Sequence, residues 1–252
     1  VTVIVDTGTD KLLIDVQDGI ALLTFNNPEK HNALSAEIRT VIPTTLQALD
    51  ANDDVRVLVM TGAGGKAFVS GADISEFEEH RTSPEARATY DRLTSDITEA
   101  WDSFSKPIIA MIRGFCIGGG LLTALAADIR IASDDSQFGI PAARLGLGYG
   151  FDPTKNLVRL VGPASAAEIL FSARRLGADE AREIGLVNRV VSRDRLEEEV
   201  MELARSISTN APLTIAAAKA ALRELRRDPE NHDLSKVAQL VEACFQSEDF
   251  RE

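Results

Sequence analysis

Three consecutive glycines, Gly118, Gly119 and Gly120, separate an apolar, β-branched-rich run at 107–112 from a small-residue stretch carrying Leu121, Leu122 and Leu125. The i, i+1, i+4 spacing of those leucines predicts a helix with one buried face. Glycines at a helix start leave the first backbone N–H groups uncovered, with the positive end of the helix dipole behind them. Such a start attracts anions. Where the negative charge exists only in the transition state, the same arrangement is an oxyanion hole. These residues equally suit a strand-to-helix turn in which glycine serves only close packing, and both readings stand at this point.

Other glycine and histidine motifs are poorly supported. Residues 61–66 read TGAGGK after a predicted strand. Too few residues separate the first glycine from the Gly-Lys pair for a P-loop, and Ala67 stands where Ser or Thr is needed. The stretch that follows is strand-like rather than helical, which excludes a dinucleotide fingerprint. No G-x-S-x-G is present, and His31, His80 and His232 lie in polar contexts. They are expected to be solvated rather than members of a Ser-His-Asp triad.

The elements that must position this chemistry alternate along most of the chain. Residues 10–27 predict two strands joined at Asp18-Gly19, a hairpin signal. Ser35 is a candidate N-cap for a helix over about 36–50, with a kink expected near Pro43. Strands are predicted at 55–60 and 67–69, a long polar helix at 84–104, and strands at 128–132 and 137–140. Residues 141–153, with Gly146, Gly148 and Gly150, read as a loop. Helices are predicted at 164–173, 178–185, 193–209, 212–226 and 234–246, with one short strand at 189–191. Strands thus alternate with helices up to about 192 and only helices follow, which predicts an α/β core over 1–192 and a helical region over 193–252.

The chain has 252 residues, 44% of them hydrophobic, enough for one large core. A net charge of −12 argues against nucleic acid and anionic membrane surfaces as partners. No apolar run approaches the roughly 18–20 residues of a membrane span. Cys116 and Cys244 are far apart and offer no metal spacing. No basic-then-apolar leader opens the sequence, and a reduced, cytoplasmic setting is expected.

Six segments in order resemble the enoyl-CoA hydratase/isomerase (crotonase) superfamily: 27–35, 66–74, 106–120, 127–133, 137–139 and 181–188. The resemblance implies a spiral of ββα turns with a C-terminal helical region that assembles subunits into homo-trimers, often paired as hexamers. It implies an acyl-CoA thioester as ligand, with coenzyme A as part of the substrate and no separate cofactor or metal. Carried over by position, the oxyanion hole is formed by the N–H groups of Ala72 and Gly119. Lys30, His31 and Ala33 would lie near the adenosine end of the coenzyme, and Gly71, Asp73 and Ile74 would line the same crevice.

The sequence departs from the family pattern at two positions. Hydratases of this family activate water with two glutamates, and here Leu122 and Ala142 stand in their places. One oxyanion donor is worth about 10²–10³ in rate, and a positioned acid or base about 10²–10⁴. The polarising apparatus is expected to be retained and the acid–base pair lost, which makes simple enoyl-CoA hydration doubtful. Members of the family place reactive residues in the loop that holds Tyr149 and Asp152. Tyr149 is a candidate proton donor for decarboxylase- or isomerase-type chemistry, or a cap on the acyl pocket. Asp152 is a candidate base or orienter, or an Asp-Pro turn former. A non-catalytic acyl-CoA-binding homologue is the remaining reading.

Overall fold

The structure is a computed structural model that describes residues 3–73 and 83–251. Two sheets form among the described residues. The larger has seven strands, β1 (Val3–Val5), β2 (Leu12–Gln17), β3 (Ile20–Phe25), β4 (Val57–Gly62), β6 (Ile108–Ile112), β8 (Ile129–Ser133) and β11 (Arg189–Val191), in that spatial order. Its first three strands are antiparallel and the rest parallel. The smaller sheet runs β10 (Leu176–Gly177), β9 (Gln137–Gly139), β7 (Phe115–Ile117), β5 (Ala67–Val69). The Asp18-Gly19 hairpin forms as expected, with both residues at positive φ.

Strand alternation explains the layering. Val57 and Val59 of β4, with Ile109 and Met111 of β6, point to one face of the large sheet. Leu58 and Met60, with Ile108, Ala110 and Ile112, point to the other face and the main core. Both faces being covered, β6 is apolar throughout. The first face is closed by a helix over Leu196–Ser208, through Leu196, Val200 and Ala204. The packed core therefore continues past residue 192 to this helix.

The remaining helices are α1 (Ala36–Ala51), α2 (Pro84–Ser103), α3 (Gly119–Leu125), α4 (Phe151–Ser172) and α5 (Ala178–Glu183). The sheet-covering helix is α6, followed by α7 (Pro212–Glu224) and α8 (Leu234–Gln246). Ser35 caps α1 by accepting a hydrogen bond from the Ile38 N–H at 3.3 Å. The helix continues through Pro43, where a kink was expected. On α3 the buried face is Gly120, Leu121, Thr123 and Ala124, while Leu122 and Leu125 are only half-buried.

The apolar run at 107–112 forms β6, and past Gly114 the chain adds β7 to the other sheet before the glycine triplet. One expectation is corrected. The supposed loop at 141–153 holds a 3-10 turn over Pro141–Leu145, and α4 already starts at Phe151. Asp152 and Pro153 occupy the first turn of α4, where an acid and a proline both suit a helix start. Gly162 (φ 77°, ψ 165°) bends this helix, so the predicted helix at 164–173 is its second half.

Helix α7 is strapped to the core. Lys219 Nζ lies 3.0 Å from Asp128 Oδ2, and Arg226 lies 3.6 Å from the same carboxylate. Arg223 donates to the carbonyls of Asp102 and Ser103 at 3.0 and 3.2 Å. Helix α8 packs on α7 but has no buried residue, and Leu225, Leu234, Val241 and Phe245 remain exposed. Among the described residues, no helix is long and apolar enough to cross a membrane.

Candidate active site

The ends of β5 and β7 bring two peptide units side by side. After β5, Ala72 forms a single parallel bridge with Leu34. The bridge uses the Gly71 carbonyl, which accepts from Leu34 N–H at 2.8 Å, and the Asp73 N–H, which donates to Leu34 O at 3.3 Å. A trans peptide directs its N–H opposite to its C=O. The Ala72 N–H therefore points away from Leu34. After β7, the Gly118 carbonyl accepts from Leu122 N–H at 3.1 Å, inside the first turn of α3. By the same planarity the Gly119 N–H points out of the helix, where no intrahelical acceptor exists. Among the described residues, no hydrogen bond uses the N–H of Ala72 or of Gly119.

The three glycines have three separate reasons. Gly118 sits at φ 56° and ψ −119°, a conformation that side chains avoid. A Cβ on Gly120 would lie 1.9 Å from the Val69 carbonyl oxygen, so glycine is what lets α3 seat against β5. Gly119 is under neither constraint. A Cβ there would meet only ordinary contacts, 3.6 Å from Ala72 N and 3.7 Å from the Gly71 Cα. The close-packing reading thus accounts for Gly120 but not for Gly119, whose missing side chain leaves open the space beside the two free amides.

Both positions where carboxylates were expected to be lost are apolar in the fold. Leu122 is half-buried on α3, and Ala142 is buried in the turn after β9. Tyr149 is half-buried against the core that contains Leu121 and Ala142. Its hydroxyl makes no hydrogen bond among the described residues. Burial, with a smaller contribution from Tyr90 of α2, pushes its pKa up to about 12. The phenol therefore holds its proton throughout the neutral range. Asp152 is exposed in the first turn of α4, and its charge is felt by Asp102 of α2. Among the described residues, no hydrogen bond joins Asp152 to Tyr149, Ala72 or Gly119.

Of the other predicted residues, Lys30 Nζ stands 2.8 Å from Asp73 Oδ2, the Asp73 side chain being almost wholly buried. This ion pair ties the turn at 28–31 to the segment carrying Ala72. His31 is exposed, with its ring edge-on to Phe115 at 6.1 Å between centroids. Its carbonyl accepts from Ser70 N–H at 3.1 Å. Ala33 is buried beside Leu34. Gly71, at φ 113°, supplies the carbonyl of the bridge. Ile74 lies outside the described residues, as do Glu76, Glu78, Glu79 and His80.

Asn32, fully buried at φ 58°, was not singled out by the sequence. Its amide donates to Ala63 O and Ala67 O at 2.9 and 2.8 Å, and its oxygen accepts from Asn27 N–H at 2.9 Å. It locks the 27–32 turn to the glycine loop and β5, immediately before Leu34. An asparagine closing a polar turn is a legible signal for the left-handed region. Among the described residues, no group of three or more His, Cys, Asp or Glu side chains could hold a metal ion.

The family model described as enoyl-CoA hydratase/isomerase matches residues 15–252. A short-chain-enoyl-CoA hydratase of Clostridium acetobutylicum is 35% identical over 240 residues, covering 95% of this chain and 91% of that protein. A peroxisomal Delta(3,5)-Delta(2,4)-dienoyl-CoA isomerase of Arabidopsis thaliana is 34% identical over 242 residues, covering 91% and 86%. Among solved structures, an enoyl-CoA hydratase/carnithine racemase from Magnetospirillum magneticum superposes with a TM-score of 0.89 at 32% identity, covering 97% of this chain and 91% of its own. With the family model, the relatives and the fold in agreement, the chain belongs to the enoyl-CoA hydratase/isomerase (crotonase) family.

Proposed function

We propose that the N–H groups of Ala72 and Gly119 form an oxyanion hole for an acyl-CoA thioester, and that the enolate formed there is protonated by Tyr149. The observation that carries this reading is the pair of unspent, adjoining amides, with Leu122 and Ala142 standing at the two sequence positions where the family pattern has acids. Water addition needs a base to activate water, and isomerisation needs a base to remove a proton. Tyr149, held protonated by burial, suits donation and not abstraction. Decarboxylation of a malonyl-type thioester fits that inventory. The bond between the α-carbon and the carboxylate breaks, CO2 leaves, and the electron pair becomes the enolate whose oxygen the two amides hold. The α-carbon then takes the Tyr149 proton, and water reprotonates the phenolate. Coenzyme A enters as part of the substrate, and the reading requires no other cofactor. Asp152, exposed in the first turn of α4 and, among the described residues, not hydrogen-bonded to Tyr149, Ala72 or Gly119, is given an orienting role at most.

The test is a panel of enoyl-, malonyl- and 3-hydroxyacyl-CoA thioesters. CO2 release from a malonyl thioester is expected, with kcat falling about 10²-fold or more in Tyr149→Phe. Brisk hydration of an enoyl thioester with inert malonyl substrates overturns the decarboxylase reading and returns the chain to the activity named for its Clostridium relative. A second reading, retention of acyl-CoA without turnover, is favoured by the loss of both carboxylates. It predicts tight binding that is indifferent to Tyr149→Phe and flat progress curves. Assembly into trimers, or pairs of trimers, is part of the same proposal and is supported by the uncovered apolar side chains of α7 and α8.

A further inference from the structure

Helix α3 has only seven residues, so its direction depends on what grips its two ends. At the front, Gly120 seats against Val69 and the Gly118 N–H donates to Gly139 O at 2.8 Å. At the rear, a buried cation does the gripping. Arg130, on β8, is 5% exposed. Its Nη1 donates to Ala127 O at 2.5 Å and reaches Ala124 O at 3.5 Å, and its Nε donates to Leu186 O at 2.9 Å. Its own backbone is pinned on both sides by Asn188, whose Oδ1 accepts from Arg130 N–H at 2.8 Å and whose N–H donates to Arg130 O at 2.9 Å.

Among the described residues, no carboxylate forms a salt bridge with this guanidinium. The nearest candidate in sequence, Asp128, is engaged with the Ile108 N–H, Lys219 and Arg226. Burial lowers the Arg130 pKa to about 10, which leaves it charged at neutral pH. Asp128 favours its charge only through space, without a salt bridge; a buried charge so paired is costly, and a neutral apolar side chain would fill the space with less desolvation. What such a side chain lacks is the fork of donors that ties the turn after α3 to the loop at 186–188.

We propose that Arg130 is a positioning residue that fixes the direction of the Gly119 N–H by clamping the rear of α3. The proposal rests on the oxyanion reading above, and its test separates the two. The probe is butanoyl-CoA labelled with 13C at the thioester carbonyl, followed by isotope-edited infrared difference spectroscopy on wild type, Arg130→Lys and Arg130→Met. In the wild type the carbonyl stretch is expected to fall on binding, as two donors polarise it. Both variants are expected to bind the probe with a smaller fall, and kcat is expected to drop about 10²-fold with KM nearly unchanged, the loss typical of an ångström-scale misplacement. Arg130→Lys, which keeps the charge and part of the hydrogen bonding, is expected to lie between wild type and Arg130→Met. Folded variants that retain the full carbonyl shift overturn the role of Arg130 and leave it a purely structural residue. A wild type that shows no shift, or does not bind the probe, overturns the oxyanion reading itself. Should Arg130→Met fail to fold, Asn188→Ala keeps the guanidinium and removes the acceptor of the Arg130 N–H. A partial loss of the shift there supports the clamp, and an unchanged shift counts against it.

Discussion

At the scale of single residues, the glycine triplet is three solutions to three problems. Gly118 answers a backbone angle, Gly120 answers a close approach, and Gly119 answers neither. The consequence is specific. Gly119→Ala is expected to fold, with stability unchanged or raised by about 0.4–1 kcal/mol through the stiffer unfolded chain. Its methyl group would sit 3.6 Å from Ala72 N, in the space the thioester oxygen needs. Turnover is therefore expected to fall by roughly 10²–10³. A thermal melt beside a rate measurement checks both halves, and a fully active Gly119→Ala would remove the functional case for that glycine. Tyr149 illustrates the complementary point. Its type alone leaves donor and pocket cap open, and its burial, which disfavours the phenolate, argues only against a base.

At the scale of elements, the site exists because a helix and an isolated bridge present their backbones to one another. The bridge Leu34–Ala72 turns one amide outward, and the first turn of α3 turns the other outward. The capped start of α1 at Ser35 follows directly after Leu34, so that helix anchors the strand partner of Ala72. Seating α3 on β5 is the most exacting contact in this arrangement. Gly120→Ala would drive a Cβ to within 1.9 Å of a backbone oxygen that cannot swing aside. We expect a loss of about 1–3 kcal/mol or more, read as a melting temperature lower by about 2–4 °C for each kcal/mol. Activity should fall with it, as α3 is displaced from Ala72. A Gly120→Ala variant that melts like the wild type would contradict this account of the α3–β5 contact.

At the scale of the whole molecule, α6 closes the large sheet and belongs to the core, while α7 and α8 lie outside it. Ion pairs through Lys219 and Arg226 to Asp128 fix α7 to its own chain. The face of these helices that remains uncovered includes Leu225, 75% exposed, and Phe245, 55% exposed. Exposed apolar side chains of this size support the assembly proposed above. Light scattering is expected to show three or six chains per particle for the wild type, and smaller particles for a Leu225→Glu, Phe245→Glu variant of near-unchanged helix content. A monomeric wild type would refute the assembly.

The sequence by itself determined the alternation of strands and helices up to about residue 192, the Asp18-Gly19 hairpin and the Ser35 cap. It also determined the replacement of two acids by Leu122 and Ala142. These features are written in local periodicity and turn chemistry, which act over a few residues. Phe115–Ile117 is bracketed by Gly114 and the glycine triplet, which hide so short a strand, and an Asp-Pro pair near a glycine suits a turn and a helix start alike, so β7 and the first half of α4 are not legible in the sequence. Only the tertiary structure decided which way the Ala72 and Gly119 amides face, which glycine is dispensable to packing, and which carbonyls Asn32 and Arg130 hold. Each of those depends on a carbonyl brought from a distant part of the chain, and no spacing along a sequence states where such a partner will arrive.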